Sequence, residues 1–511
     1  MMFRIAEQIL GRKDSQENGT CATIFPLYRD AREEDMQTSD LLESFSSAPP
    51  LAAKDIRHTP AEADLFHESL EHAALRDLVS RTELFARFRP QVDACLPGKY
   101  EQIPIHQTEV HALPAMNIDE SSITGNADVV DSMFKELGFD VGTTKFSGIL
   151  RPIFGDQLSI ARLRSLITNR AGHEGSAHSY SHLVFGPGFF HHQMALTHGI
   201  IETHWGDTHA GTRSPGSLSF LNTVLDRKPI VLTSLPPYRT CRDLIFTTLS
   251  ASLLHCLELV TKCESLEDYA RTVSFTQLRA DVSKIMDRFV SPNTVATLRN
   301  NRANEVARLQ LPRPVLPFEG GHASLTITTV PQASVPHPTA PPASLNEAAS
   351  VPKTSVSVCT GVQAHDLQLT VGDVVHENMC LFLRDALVLR EFTDAIKGVS
   401  SGRILRVLKL LALMYRGSGR MKYAHELLHL VHNLTHIWPK PLRDVMIKNW
   451  LVNPSGKPNS WVPVDLLQEH INFWIKVIYK AQGGNASWEW LEMISPTIYD
   501  LPPTPRSGND V

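Results

Sequence analysis

Between residues 312 and 364 the chain carries nine prolines (Pro312, Pro314, Pro317, Pro331, Pro336, Pro338, Pro341, Pro342 and Pro352) among Ser, Thr, Ala and Val, with few charges and no sustained hydrophobic period. Proline fixes φ and removes a backbone donor, so such a tract cannot continue a helix or a sheet ladder. With so little periodic apolar surface it cannot offset the entropy of ordering. It reads as a disordered or polyproline linker. Any fold must therefore be assembled from two separated blocks, residues 61–311 and 365–495. At 511 residues the chain has room for two or three domains, each with a sizeable core.

Both blocks are dominated by helical spacing. Leu65, Leu70, Leu75, Leu78, Leu84 and Phe88 predict helix over 61–96, ending near Pro90. A second helical stretch runs over 239–300, broken near Glu264. In the later block helices are expected over 375–398, 403–416, 421–437 and 464–482. Residues 110–160, with short apolar runs and turns, are the place for strands. Residues 1–60 are polar and expected to be poorly ordered, and 496–511 read as a disordered tail. No internal repeat is found.

The balance of 49 Lys and Arg against 54 Asp and Glu, net −5, gives no global pull toward nucleic acid or membrane. The seven cysteines are scattered, odd in number and without a Cys-x-x-Cys pair, which argues against a disulfide framework or thiolate zinc site and fits a reducing compartment. The N-terminal residues are too polar for a signal peptide. The apolar run over 244–260 contains His255 and Glu258 and reads as a buried helix, not a membrane span. An intracellular protein without a transmembrane segment is expected.

Four segments carry possible chemistry. In Gly155-Asp-Gln-Leu158 an apolar run ends on Asp156 just before a helix, where α/β folds present metal-binding or acid–base groups; helix capping is the simpler reading. His376 and Glu377 open a helix and are explained by the helix dipole. Arg403, Arg406, Lys409, Arg420 and Lys422 make the strongest local basic patch, able to meet phosphates or to be a solvated face; Gly417-Ser-Gly419 lacks phosphate-loop spacing. Trp450, Trp461 and Trp474 read as core anchors.

The fourth is a histidine ladder. His425, His429, His432 and His436 share an arc of roughly 60° on a helix. His-x-x-x-His is a zinc spacing, and Glu426 with His429 has the Glu-x-x-His spacing of di-metal helices. No second such motif is convincingly placed, so a polar wall of hydrogen-bonded imidazoles is the competing reading.

Phrases along the chain resemble the uncharacterised fungal family catalogued as domain of unknown function 6589. They include Leu113-Pro-Ala-Met-Asn-Ile-Asp-Glu-Ser-Ser-Ile-Thr-Gly-Asn126, Gly155-Asp-Gln-Leu158, Pro187-Gly-Phe-Phe-His-His-Gln-Met194, Pro215-Gly-Ser-Leu-Ser-Phe220, Asp226-Arg-Lys-Pro-Ile-Val231, Arg416-Gly-Ser-Gly-Arg420, Trp438-Pro-Lys-Pro-Leu442 and Asp465-Leu-Leu-Gln-Glu-His470. The likeness spans about 110–495. It implies an α/β, predominantly helical fold, with a small ribonuclease H-like mixed sheet embedded in a large helical domain. It also implies descent from a transposase-like nuclease acting on DNA in the nucleus, either active or a catalytically dead copy. By that likeness Asp156 is the first carboxylate and Glu426 the last of a site for Mg2+ or Mn2+, with His191 and His429 as supporting or proton-shuttling groups. The middle carboxylate is unassigned: no acid lies between Glu174 and Glu202, which leaves Asp119 or Asp207. No small-molecule cofactor is implied.

Two other readings compete: a non-catalytic helical interaction protein, and a histidine–metal hydrolase centred on 425–436. Geometry separates them. A two-metal site needs the carboxylates of Asp156 and Glu426 within about 4–8 Å of each other, whereas a hydrolase needs the ladder to converge with an outside carboxylate.

Overall fold

Short polar residues decide where the helices begin. Thr59 accepts from the Glu62 amide while the Glu62 carboxylate accepts from the Thr59 amide, a capping box that with Pro60 opens a helix over Pro60–Arg81. Ser122, Asp156, Ser217, Ser265 and Ser274 each cap a later helix, the side chain accepting from the amide three residues on. The computed structural model describes residues 2–5, 15–28, 31–97, 101–173, 176–207, 214–308, 373–481 and 487–500. The chain divides into two compact units, Met1–Pro292 with Val375–Val511, and Asn293–Val374. The second unit is described by one helix, Thr294–Arg308. The expected linker, 312–364, lies outside the described residues.

In chain order come strands β1 (Met2–Ile5), β2 (Ser15–Asn18) and β3 (Thr23–Ile24), helices α1 (Thr38–Ser47) and α2 (Pro60–Arg81), and strand β4 (His111–Ala112). Helix α3 (Ile123–Glu136), strand β5 (Arg151–Gly155), helix α4 (Gln157–Asn169) and strand β6 (Leu183–Pro187) follow. Then come helices α5 (Phe189–His204), α6 (Tyr238–Thr261), α7 (Phe275–Ile285), α8 (Val374–Lys397), α9 (Ser401–Gly417) and α10 (Met421–His432), strands β7 (Leu451–Val452) and β8 (Val462–Pro463), and helix α11 (Val464–Ala481), with shorter helices between.

The fold is predominantly helical. In place of one mixed sheet, the described strands form four separate pairs, β1–β2, β3–β4, β5–β6 and β7–β8. Only β5–β6 is parallel, running from Arg151↔Leu183 to Gly155↔Pro187, with α4 as its crossover. The strand content expected over 110–160 is mostly helix, because Ser122 and Thr143 supply caps where a longer strand would have to continue.

Helix α6 forms the floor of the core. Cys241, Leu244, Ile245, Leu249, Leu253 and Leu257 recur every three or four residues and are buried against α2, α5 and α7. Each fully buried Leu contributes about 1.5–3 kcal/mol. Among the described residues α6 alone is long and apolar enough to cross a membrane, but its packed stripe is that of a core helix. Helix α8 is buried on nearly every side, from Cys380 to Ile396, and carries acids inward with their partners. Arg403 of α9 donates to Glu391 (Nε–Oε1 2.9 Å), and Arg76 of α2 meets Asp394 at 3.0 Å. The Arg76–Asp394 pair joins the two sequence blocks across the 312–364 segment.

The described part of the N-terminal segment, expected to be poorly ordered, is instead tied down. Its backbone runs beside the entry to β5, where the Leu150 amide donates to Met36 and the Thr38 amide to Gly148. Helix α1 follows. His58 donates to the Arg406 carbonyl at 2.7 Å. Ser495–Asp500, in the expected tail, is a short 3-10 helix; the rest of that tail, 501–511, lies outside the described residues.

Candidate functional site at the ends of β5 and β6

Because β5 and β6 are parallel and in register, Gly155 and Pro187 end side by side and a helix leaves each strand from the same edge. Open α/β structures place ligands at this edge. On the β5 side Asp156 caps α4, its Oδ1 accepting from the Ser159 amide at 2.7 Å. On the β6 side α5 starts at Phe189 with no cap of its own. Its first amides are satisfied from across the molecule. The Asp465 carboxylate of α11 accepts from Phe190 N (3.1 Å) and His191 N (2.9 Å), and from His191 Nδ1 at 2.9 Å. Gly188 permits this approach, since a Cβ there would come within 2.6 Å of Asp465 Oδ2 and 2.7 Å of the Gly155 carbonyl.

The hydrogen bonding orders the histidine. A carboxylate only accepts, so Nδ1 of His191 carries the proton and Nε2 is left to face outward. There Glu469, one turn beyond Asp465 on α11, brings Oε1 to 3.9 Å. Side-chain exposure rises from 5% at Asp465 to 21% at His191 and 45% at Glu469, so the group runs from the interior to solvent. Burial alone disfavours imidazolium; the hydrogen bond and charge of Asp465, with Asp156 and Glu469, outweigh it and raise the His191 pKa.

Three further residues surround this group. Burial, then the charges of Asp156 and Asp119, push the Glu120 carboxyl up, with Arg162 opposing. Burial, then Asp156 and Asp465, push up the Tyr423 phenol. The Tyr423 ring packs on Tyr415 and His192. His192 is wholly buried and its pKa falls to about 4, so it stays neutral. Both His191 and the Glu120 carboxyl are thus held above their ordinary values, Glu120 by burial and then by neighbouring acids, His191 by its acids against burial.

The expected site residues separate. Asp156 belongs to the group just described. Glu426 does not: both its oxygens accept from Arg164, at 2.9 and 2.6 Å, and Arg164 lies about two turns, or about 12 Å, further along α4 than Asp156. The pKa of His429, beside that pair, is lowered by burial and by Arg164. Asp119 is exposed and accepts from the Ser121 amide and hydroxyl, while its neighbour Glu120 feels Asp156. Asp207 follows the far end of α5, a helix of 16 residues and so about 24 Å long. The ladder histidines turn to the N-terminal segment: His432 donates to the Pro49 carbonyl at 2.8 Å and His436 meets Asp55 at 3.0 Å.

The basic residues expected to meet phosphates are mostly engaged within the fold. Arg403 and Arg406 are buried, Lys409 is bound to Glu62 at 2.7 Å, and Arg420 to Glu202 at 2.8 Å. Of the expected phosphate contacts only Lys422 is exposed. Lys409 and Arg420 find their acids more than 200 residues away, and Arg403 finds Glu391 on the preceding helix, which local charge density cannot reveal. Conversely, Asp465 and Glu469 were missed as site residues, although two acids four apart at the start of a helix were a visible signal. Among the described residues no three His, Cys, Asp or Glu are gathered to hold a metal ion.

Fold and site thus define a predominantly helical protein with an acid-flanked histidine at the edge of a two-stranded parallel sheet. The chain belongs to the family of unknown function DUF6589, whose model matches residues 45–502. No curated protein matches the chain, and neither does any solved structure.

Proposed function

We propose that this edge is the working centre of a ribonuclease H-like phosphodiester-cleaving protein of transposase descent, acting on DNA in the nucleus. Asp156 keeps its role in this reading, and Asp465 and Glu469 of α11 take the place first given to Glu426. The observation that carries it is the hold of two α11 carboxylates on His191, Asp465 at 2.9 Å and Glu469 at 3.9 Å, with the charge of Asp156 at the end of β5 acting on the same imidazole. The chain's own contribution is positioning and proton transfer. Asp465 fixes the tautomer of His191, and a protonated Nε2 can give its proton to a leaving oxygen.

Carboxylates are the donor class that Mg2+ and Mn2+ take. Here, however, Asp465 meets three N–H donors, Asp156 commits Oδ1 to Ser159, and Glu426 is closed by Arg164. The side chains in this arrangement do not fit a divalent ion.

The test is cleavage of branched or end-mimicking DNA, with and without Mg2+ or Mn2+, by the wild type, Asp156→Ala and His191→Gln. Cleavage lost in both variants supports the reading. Equal cleavage by Asp156→Ala removes that residue from it, and no cleavage by the folded wild type refutes it. One observation favours a second reading, a non-catalytic helical interaction protein: the expected phosphate-contacting cations are mostly buried or paired. Under it, the variants change stability alone.

A further inference from the structure

A hollow of about 550 Å3 lies between the last turns of α3, the loop 138–141 and the segment 176–182 that leads into β6. It is separate from the Asp156–His191 group and within the range of small-molecule sites. Its floor is aromatic. Phe146 sits 5.0 Å from Phe134, 5.5 Å from Phe139 and 5.0 Å from His182, measured between ring centroids. Phe134, Phe146 and His182 are buried, whereas Phe139 is 41% exposed at the mouth.

Two features say what chemistry these rings suit. The guanidinium of Arg151 already rests over Phe139 and Phe146, at 5.3 and 5.0 Å, so this ring cluster accommodates a cation within the protein itself. At the mouth stand Asp131 and Asp140 beside Lys135, so that with Arg151 the acids and the fixed cations balance and an entering cation meets carboxylates at the rim. Asp131 is held in place: Tyr180 donates its hydroxyl to both carboxylate oxygens, at 3.0 and 3.1 Å. Tyr180 does so from a left-handed backbone, φ 54°, a conformation that costs a non-glycine residue energy and persists only where the surroundings enforce it.

We propose that this hollow is an aromatic cage for an organic cation, a quaternary or multiply alkylated ammonium group. Its alkyl groups lie against the rings and its charge meets the ring faces and Asp131. The same headgroup occurs on a free choline-like amine and on a trimethylated lysine side chain.

The experiment is calorimetric titration of the full chain with choline, with its neutral isostere 3,3-dimethylbutan-1-ol, and with a short peptide bearing trimethyl-lysine beside its unmethylated twin. Saturable binding of choline or of the methylated peptide, about tenfold or more tighter than the matched neutral or unmethylated control, is expected. Phe139→Ala weakens it by about tenfold and Phe139→Trp preserves it, both at an exposed position that leaves the core in place. Asp131→Asn weakens it as well. Tighter binding of the methylated peptide than of choline identifies a protein side chain as the source; the reverse identifies a free amine. Equal binding of the alcohol, no binding of either cation, or cation binding unchanged in both Phe139→Ala and Asp131→Asn overturns the proposal.

Discussion

Asp465→Ala is the most telling single change, because one carboxylate holds three donors. The substitution leaves the Phe190 and His191 amides at the start of α5 without a cap and strips His191 of its Nδ1 partner. Loss of a helix cap costs about 0.5–2 kcal/mol. A charge-assisted bond to a buried carboxylate is worth about 1.5–3 kcal/mol. The terms are not additive, and breaking a buried charged pair costs about 3–5 kcal/mol in total. Asp465→Asn keeps one accepting oxygen but no charge, and about 1–3 kcal/mol is expected. Urea unfolding followed by circular dichroism, with unchanged slope, measures both. The pH dependence is a second signature. His191 has a folded pKa raised above its ordinary 6.5, so its contribution is fully present below that value and is lost as pH climbs through the raised one. The gap between wild type and Asp465→Ala should therefore be widest below the ordinary histidine value and narrow as pH rises through the raised one. A gap below about 1 kcal/mol, or one that widens with rising pH, refutes the reasoning.

Three further outcomes are expected. Gly188→Ala forces a Cβ against Asp465 and the Gly155 carbonyl and should cost about 1–3 kcal/mol in thermal unfolding. Glu426→Ala and Arg164→Ala should each destabilise by roughly 1–3 kcal/mol with the double mutant little worse, since the bidentate pair is shared; DNA cleavage abolished by Glu426→Ala in a folded protein contradicts the placement of Glu426 outside the site. Glu391→Leu strands Arg403 in the core and should cost about 3–5 kcal/mol, while adding Arg403→Met should recover most of it in urea denaturation.

The helices were legible in the sequence because apolar spacing and caps are local. The break expected near Glu264 falls where α6 ends on Lys262 in a left-handed conformation, before Ser265 caps the next helix. The segments 375–398, 403–416 and 464–482 agree with α8, α9 and α11 to within about two residues. The site was half legible. Asp156 stands at a strand end that its own neighbours signal, but its partner is set by tertiary contact. His191 and Asp465 are 274 residues apart and meet only because α11 packs on α5 and β5. The partners of the basic residues are set by tertiary contact too: Glu391, Glu62 and Glu202 pair with Arg403, Lys409 and Arg420.

Capping and function, set as alternatives for Asp156, are compatible in this geometry. Asp156 caps the helix that leaves β5, and Asp465, reaching from α11, caps the helix that leaves β6. Backbone amides fix both carboxylates, so their positions are as rigid as the strand ends they follow. A pair of charges held this way costs no reorganisation when a neighbouring group changes its protonation. His191 is bonded to Asp465 and feels the charge of Asp156, which together raise its pKa. The caps therefore turn two structural hydrogen-bond sets into a fixed negative field at one parallel edge, and only the Nε2 side of that histidine faces the partly exposed Glu469 and solvent.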